Sequence, residues 1–146
     1  MPRDQIDISP LEFVPLAADH LAVLSPGDPA IAANYDRLFT QYAWTALWHG
    51  QPIVAAGIVP HTVANYGEAW ALVLPDLKAP GRVWVPITSR VRLELARAKA
   101  DGLRLVECTV DANFPAALRW ARRLGFEANG LRPNYAGRDC ILFGRN

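Results

Sequence analysis

Two carboxylates stand in apolar, strand-like surroundings: Glu68 at the head of "GEAWALVLP" and Glu107 inside "LRLVECTV". Burial disfavours the ionised form and raises a carboxyl pKa, which is one way to make a general base that works near neutral pH. Each also reads as a solubilising or paired carboxylate at a strand edge. A second group collects in "KAPGRVWVPITSR". There Gly81 permits close backbone approach, and Arg82, Thr88, Ser89 and Arg90 supply donors suited to an anion. Thr88 and Ser89 serve equally well as first-turn or capping residues, and Pro80 and Pro86 remove two N–H donors. The third group is "ALRWARRLGF", residues 117–126. At helical spacing Ala117, Ala121 and Leu124 share one face, and Arg119, Arg122 and Arg123 share the other, as an anion rim or a solvated surface. Tyr135 offers a phenolic proton late in the chain, or is an ordinary hairpin tyrosine. His20, His49 and His61 are not spaced as metal ligands, and Cys108 and Cys140 read as reduced, packed thiols, so no metal site is expected.

The elements that must position these groups follow from periodicity and punctuation. Pro10, Pro15, Pro26 and Pro29 divide the first forty residues into a short strand near "LEFVPL", a short helix near "AADHLAVL" and a helical stretch near "PAIAANYDRLFTQ". The segments "YAWTALWH" and "PIVAAGIVP" flank a two-residue "GQ" turn and form a hairpin. "GEAWALVLP" is almost continuously apolar after Glu68, which suggests a strand buried on both faces in mid-sheet. From Pro86, the spacing of Ile87, Val91, Leu95 and Ala98 predicts a helix that stops at Gly102. A β-branched strand and the Arg-rich helix come next, and the strand–helix–strand order implies a parallel pair. "EANGLRPNYAGRDCILFGR" closes the chain as two strands around a turn containing Gly137.

Composition limits the classes of function. A chain of 146 residues, half of them apolar and a fifth charged, suits a single globular domain over residues 1–146. The longest apolar stretches are too short to span a bilayer, and "MPRDQIDISP" lacks the order of a signal peptide, so a soluble cytoplasmic protein is expected. The net charge of +1 conceals an asymmetry: residues 1–80 hold three basic and eight acidic side chains, whereas residues 81–146 hold twelve and six. The second half therefore favours an anion. It lacks the aromatic interleaving of a single-strand binder and any helix-turn-helix or zinc pattern, so nucleic acid ranks last among its partners.

The element order, together with "DANFPAALRWARRLGFE", resembles the C-terminal half of the GNAT superfamily of acyl-CoA-dependent N-acetyltransferases. Asp111, Ala112, Ala117, Arg119, Trp120, Leu124, Gly125 and Phe126 are also similar to a pattern in the acetyltransferase-like proteins of tailed phages. The resemblance implies an α/β (α+β) fold, with a mixed, mostly antiparallel twisted sheet, a central parallel pair and flanking helices. It implies acetyl-CoA as cosubstrate, with main-chain groups around Leu72, Val73 and Leu74 holding pantetheine. The pyrophosphate would lie on the start of the following helix near Thr88, served by Gly81, Arg82, Thr88, Ser89 and Arg90, and Asn113, one place early in the family register, would open the next helix and bind the cofactor. Glu68, ahead of Glu107, would deprotonate the amine.

Two departures from the family pattern stand out. Only Gly81 is a glycine in the pyrophosphate loop, and the position of the usual tyrosine acid, four residues before Gly125, is Ala121. Tyr135 is then the replacement acid. Two functions follow from this resemblance: an N-acetyltransferase acting on an unidentified primary amine, or a catalytically inactive phage virion or host-interaction protein on the same scaffold. A homodimer or a virion partner would accompany either.

Overall fold

The computed structural model describes residues 10–61, 65–135 and 137–146. Strand β1 (Leu11–Pro15) precedes helices α1 (Ala18–Leu24) and α2 (Pro29–Leu38), then β2 (Trp44–Trp48), β3 (Gln51–Pro60) and β4 (Tyr66–Val73). A 3₁₀ turn (Gly81–Val83) leads into α3 (Trp84–Ala100), followed by β5 (Leu105–Asp111), α4 (Pro115–Arg123), β6 (Glu127–Tyr135) and β7 (Arg138–Arg145). The strands make one seven-stranded sheet in the order β1-β2-β3-β4-β5-β7-β6, antiparallel throughout except between β4 and β5. This is the mixed architecture expected from the sequence. Among the described residues no helix is long and apolar enough to cross a membrane.

Local chemistry accounts for the boundaries. Helices α3 and α4 end alike, with the Leu103 N–H on the Ala98 carbonyl and the Gly102 N–H on that of Lys99, then the Phe126 N–H on Ala121 and the Gly125 N–H on Arg122. These paired bonds satisfy carbonyls that a helix end leaves free, and they require a left-handed residue just past the end. Gly102 (φ 103°) and Gly125 (φ 94°) supply it. At its other end α3 begins at Trp84, two residues before Pro86. Pro86 fits because an N–H in the first helical turn has no intrahelical partner to lose. The β2–β3 turn is His49–Gly50, not Gly50–Gln51: both residues have positive φ (49° and 76°), as a two-residue I′ turn demands, and Gln51 already pairs with Trp48.

The core lies mainly between the sheet and the α3–α4 layer. Val54, Ala56 and Ile58 of β3 meet Ile87 and Leu95 of α3, and Ala121 of α4 and Leu124 just past its end join Val106, Phe126 and Phe143. The alternate residues of β3 face the opposite side, where α1 and α2 lie against that strand. Strand β4 is not buried on both faces, contrary to the expectation from its apolar run: Ala71 is exposed and Val73 is 41% exposed. The cause is a split in the sheet. β4 pairs with β5 only over Tyr66–Glu68 against Leu105–Glu107, and beyond that rung the two strands part.

Candidate functional site

The split exposes main-chain groups of known direction. In an antiparallel ladder, opposite residues alternate between hydrogen-bonded and non-bonded pairs. Leu74 N–H donates to the Ile53 carbonyl and His61 N–H donates to the Tyr66 carbonyl, both at 2.8 Å, which fixes the even-numbered residues of β4 as bonded to β3. Leu72 and Leu74 therefore turn their main-chain groups to β3 and cannot offer them in the gap. Val73 does face the gap, with Ala71 and the carbonyl of Ala69 beside it. From the other wall, Thr109 of β5 points its main-chain groups the same way, because the even residues of β5 pair with β7.

Glu68 and Glu107 meet at the closed end of the gap, as direct partners on the last β4–β5 rung. Both are half-buried, and both lie on the sheet face opposite α3 and α4, since Ala69, Val106 and Cys108 take the helix-facing positions. Neighbouring strands lie roughly 4.8 Å apart, so the two side chains leave the same face of the sheet from adjacent positions. Burial, a hydrogen bond to Glu107 and the charges of Glu107 and Glu68 push the Tyr66 phenol from 10.0 up to about 12. Cys108, the next residue of β5 and on its helix side, rises from 9.0 to about 12 through burial and the same two charges. It is a neutral thiol near pH 7. Arg132 donates to Thr109 Oγ1 (3.1 Å) and lies over the Tyr135 ring (5.3 Å to its centre). Tyr135 itself ends β6, is 44% exposed and lines neither cavity described below.

On the helix side the gap opens into a cavity of about 570 Å³ whose walls include Ala69, Ala71, Val73, Cys108, Val110 and Ala121. Val73, Phe114, Ala117 and Trp120 also border a second cavity, about 640 Å³, between the start of α3 and α4. That one holds Gly81, Thr88 and Ser89 together with Arg92, Arg119 and Arg123, so it is strongly basic. Trp120 joins its walls: the indole Nε1 donates to Thr88 Oγ1 (2.9 Å) and the ring meets Trp84 edge-on at 5.4 Å. Arg92 is held in place by donating to the Arg123 carbonyl (3.1 Å).

Other anticipated residues are engaged within the fold or lie outside the cavities. Thr88 is nearly buried, a full turn inside α3, with its oxygen committed to Trp120. Arg90 turns to β1, pairing with Glu94 (3.4 Å) and lying over Phe13 (5.5 Å), away from the basic cavity. Arg82 is exposed and outside both cavity walls. Asn113 does not cap α4; Phe114 holds that position, and the Asn113 N–H donates to Asp111 Oδ1 (2.9 Å). The 3₁₀ turn also occupies donors expected for an anion, with the Val83 N–H on the Pro80 carbonyl and the Trp84 N–H on Gly81. Arg92 went unanticipated, because its place in the cavity depends on long-range packing; of the Ala69–Leu74 strand expected to offer main-chain groups, the phase of pairing leaves Ala71 and Val73 and removes Leu72 and Leu74. Among the described residues no cluster of His, Cys, Asp and Glu could hold a metal ion.

No protein-family model and no curated protein matches the sequence. Solved structures do match in shape. Arabidopsis thaliana Naa50, in complex with a bisubstrate analogue of CoA and a peptide, superposes with TM-score 0.71 at 12% identity over 94% of this chain and 99% of its own. A GNAT family acetyltransferase from Elizabethkingia anophelis with acetyl-CoA bound gives TM-score 0.71 at 13% identity over 94% and 98%. The ribosomal-protein-S18-alanine N-acetyltransferase from Escherichia coli gives 0.67 at 16% identity over 92% of each chain. The split sheet, the helices packed on it and these superpositions agree that the chain has the GNAT fold.

Proposed function

We propose that the protein is a CoA-thioester-dependent N-acyltransferase, with acetyl-CoA as its simplest donor and a primary amine as acceptor. The observation that carries this reading is the gap beyond the Glu68–Glu107 rung, open on one face to a cavity that adjoins the basic one through Val73, Phe114, Ala117 and Trp120, and bordered by two carboxylates on the other. Nucleotide phosphates would sit among Arg92, Arg119, Arg123 and Ser89, and pantetheine would run along Ala71 and Val73 into the gap. The amine approaches from the opposite face. There the Glu68–Glu107 pair takes a proton from the ammonium, the freed nitrogen attacks the thioester carbon, and the carbon–sulfur bond breaks. Ala121 occupies the helix position beside the sulfur, so the leaving thiolate takes its proton through water, which receives the second proton that the nitrogen loses as the amide forms.

The names of the similar structures support a CoA donor. Nothing in the fold favours the inactive virion or host-interaction protein. Calorimetric titration with CoA and acetyl-CoA tests the proposal. Saturable binding that Arg119→Ala and Arg123→Ala weaken supports it, and no heat at millimolar ligand would leave a scaffold without this activity.

A further inference from the structure

The sheet face that carries Glu68 and Glu107 also carries a positive charge. Residues opposite each other across an antiparallel pair share a face, so Arg132, Cys140 and Asp111 form one row across β6, β7 and β5. Thr109, Glu107 and, over the last rung, Glu68 continue the same face. Asp111 is the carboxylate of the Arg132 row, but it pairs with Arg138 (3.6 Å). Arg132 instead reaches across β7 and donates from one terminal nitrogen to Thr109 Oγ1 (3.1 Å), two residues nearer Glu107. Among the described residues no carboxylate lies within ion-pair distance of it. A guanidinium is a planar fork of N–H donors, and the bond to Thr109 and the Tyr135 ring beneath it fix this one in place while leaving donors open. Its charge is felt at the rung: burial and the two carboxylates raise the Tyr66 phenol, and Arg132 opposes that rise. Glu68, Glu107, Thr109 and Arg132 are all half-buried, so a small molecule reaches them from solvent.

We infer that Arg132 is the carboxylate clamp of the acceptor site, and that the acceptor is a free α-amino acid acylated on its α-nitrogen. The inference rests on the reading of the cleft as a CoA-thioester site. Glu107 and Thr109 are roughly 6.6 Å apart along β5, the scale of an α-amino acid with a hydrogen bond of about 2.9 Å at each end. The ammonium meets Glu68 and Glu107, and the carboxylate takes the open donors of Arg132. The same positive charge disfavours a second ammonium, so a polyamine, which two carboxylates alone would attract, is rejected. The reaction balances. One ammonium proton goes to the carboxylate pair, the nitrogen bonds to the acyl carbon as the carbon–sulfur bond breaks, and the second proton reaches the thiolate through water. An N-acyl amino acid and CoA leave, with the acceptor's own carboxylate unchanged.

The whole protein with acetyl-CoA should be assayed for CoA release against the common L-amino acids, their carboxamides and spermidine, with calorimetric titration of CoA alongside. At least one amino acid is expected to be acylated, with kcat/KM about tenfold or more above its carboxamide and above spermidine. If CoA binds but no amino acid reacts, or the carboxamide matches its acid, the clamp is wrong and the CoA reading stands; if CoA does not bind, both fall. Arg132→Gln localises the effect. It should raise KM for the amino acid about ten- to a hundredfold, as expected for a lost hydrogen bond to a charged group, with kcat nearly unchanged and KM for the carboxamide unmoved. A variant that loses both substrates alike would make Arg132 a structural residue and overturn the assignment. Should that variant not fold, Thr109→Val releases the guanidinium and should give the same split between acid and carboxamide at smaller size; equal loss of both again overturns it.

Discussion

At the scale of single residues, the chemistry concentrates on one rung. Glu68 and Glu107 are direct partners on the last β4–β5 rung and lie on the same sheet face, where an acceptor amine would approach. They should act as a unit. Glu68→Gln and Glu107→Gln are each expected to lower the rate of amine acylation about 10²- to 10⁴-fold, with the double variant little worse than the poorer single one. Rates that multiply in the double variant would show two independent roles. Cys108 reports on the same pair without entering the reaction. Raising its pKa from 9.0 to about 12 cuts the thiolate fraction about a thousandfold at neutral pH, so reaction with a thiol reagent should be slow in the folded protein and fast in urea. The linkage has a definite sign. A folded-state pKa above the unfolded one favours folding below pH 9 and loses that contribution as pH rises towards 12. The melting temperature should therefore fall over that window, less steeply in Cys108→Ala.

At the scale of elements, each helix end is a local agreement between sequence and geometry. Gly125 takes φ 94° at the end of α4, and a Cβ there would come 3.1 Å from Arg145 Nε. That side chain is flexible, so the backbone conformation dominates, and Gly125→Ala should cost about 1–2 kcal/mol in urea unfolding. A change within a few tenths of zero would mean that the turn rearranges. Such ends were readable because a 3.6-residue apolar period followed by glycine has one simple meaning. The start of α3 was not, because Pro86 marks a first turn and not its first residue. Strand β4 misled for a deeper reason: an apolar run looks the same whether it faces a core or lines a cleft. Glu68 and Glu107 could be picked out by their apolar neighbours, but Leu72 and Leu74 were indistinguishable from Ala71 and Val73 until pairing with β3 fixed which main-chain groups were free.

At the scale of the whole molecule, the charge asymmetry acquires a location. Arg92, Arg119 and Arg123 come together across the gap between α3 and α4 although they are separated in sequence, whereas Arg122 lies over the Phe143 ring, 5.6 Å from its centre, and contributes nothing to that cavity wall. Arg119→Ala and Arg123→Ala should each weaken CoA about three- to tenfold, more at low salt than at high, because these exposed charges are screened within roughly 10 Å at 0.1 M. Arg122→Ala serves as the control that leaves binding unchanged. The same layout has a mechanical meaning. The sheet is cracked along one seam, with its tip at Glu68 and Glu107, so β1–β4 and β5–β7 resemble two plates joined over three residues of each strand. Stress from anything wedged between the plates concentrates at that tip, where the two carboxylates stand. A molecule lying along the seam would stitch the plates together, and the spacing of the proton acceptors would then depend on whether the crack is open or closed.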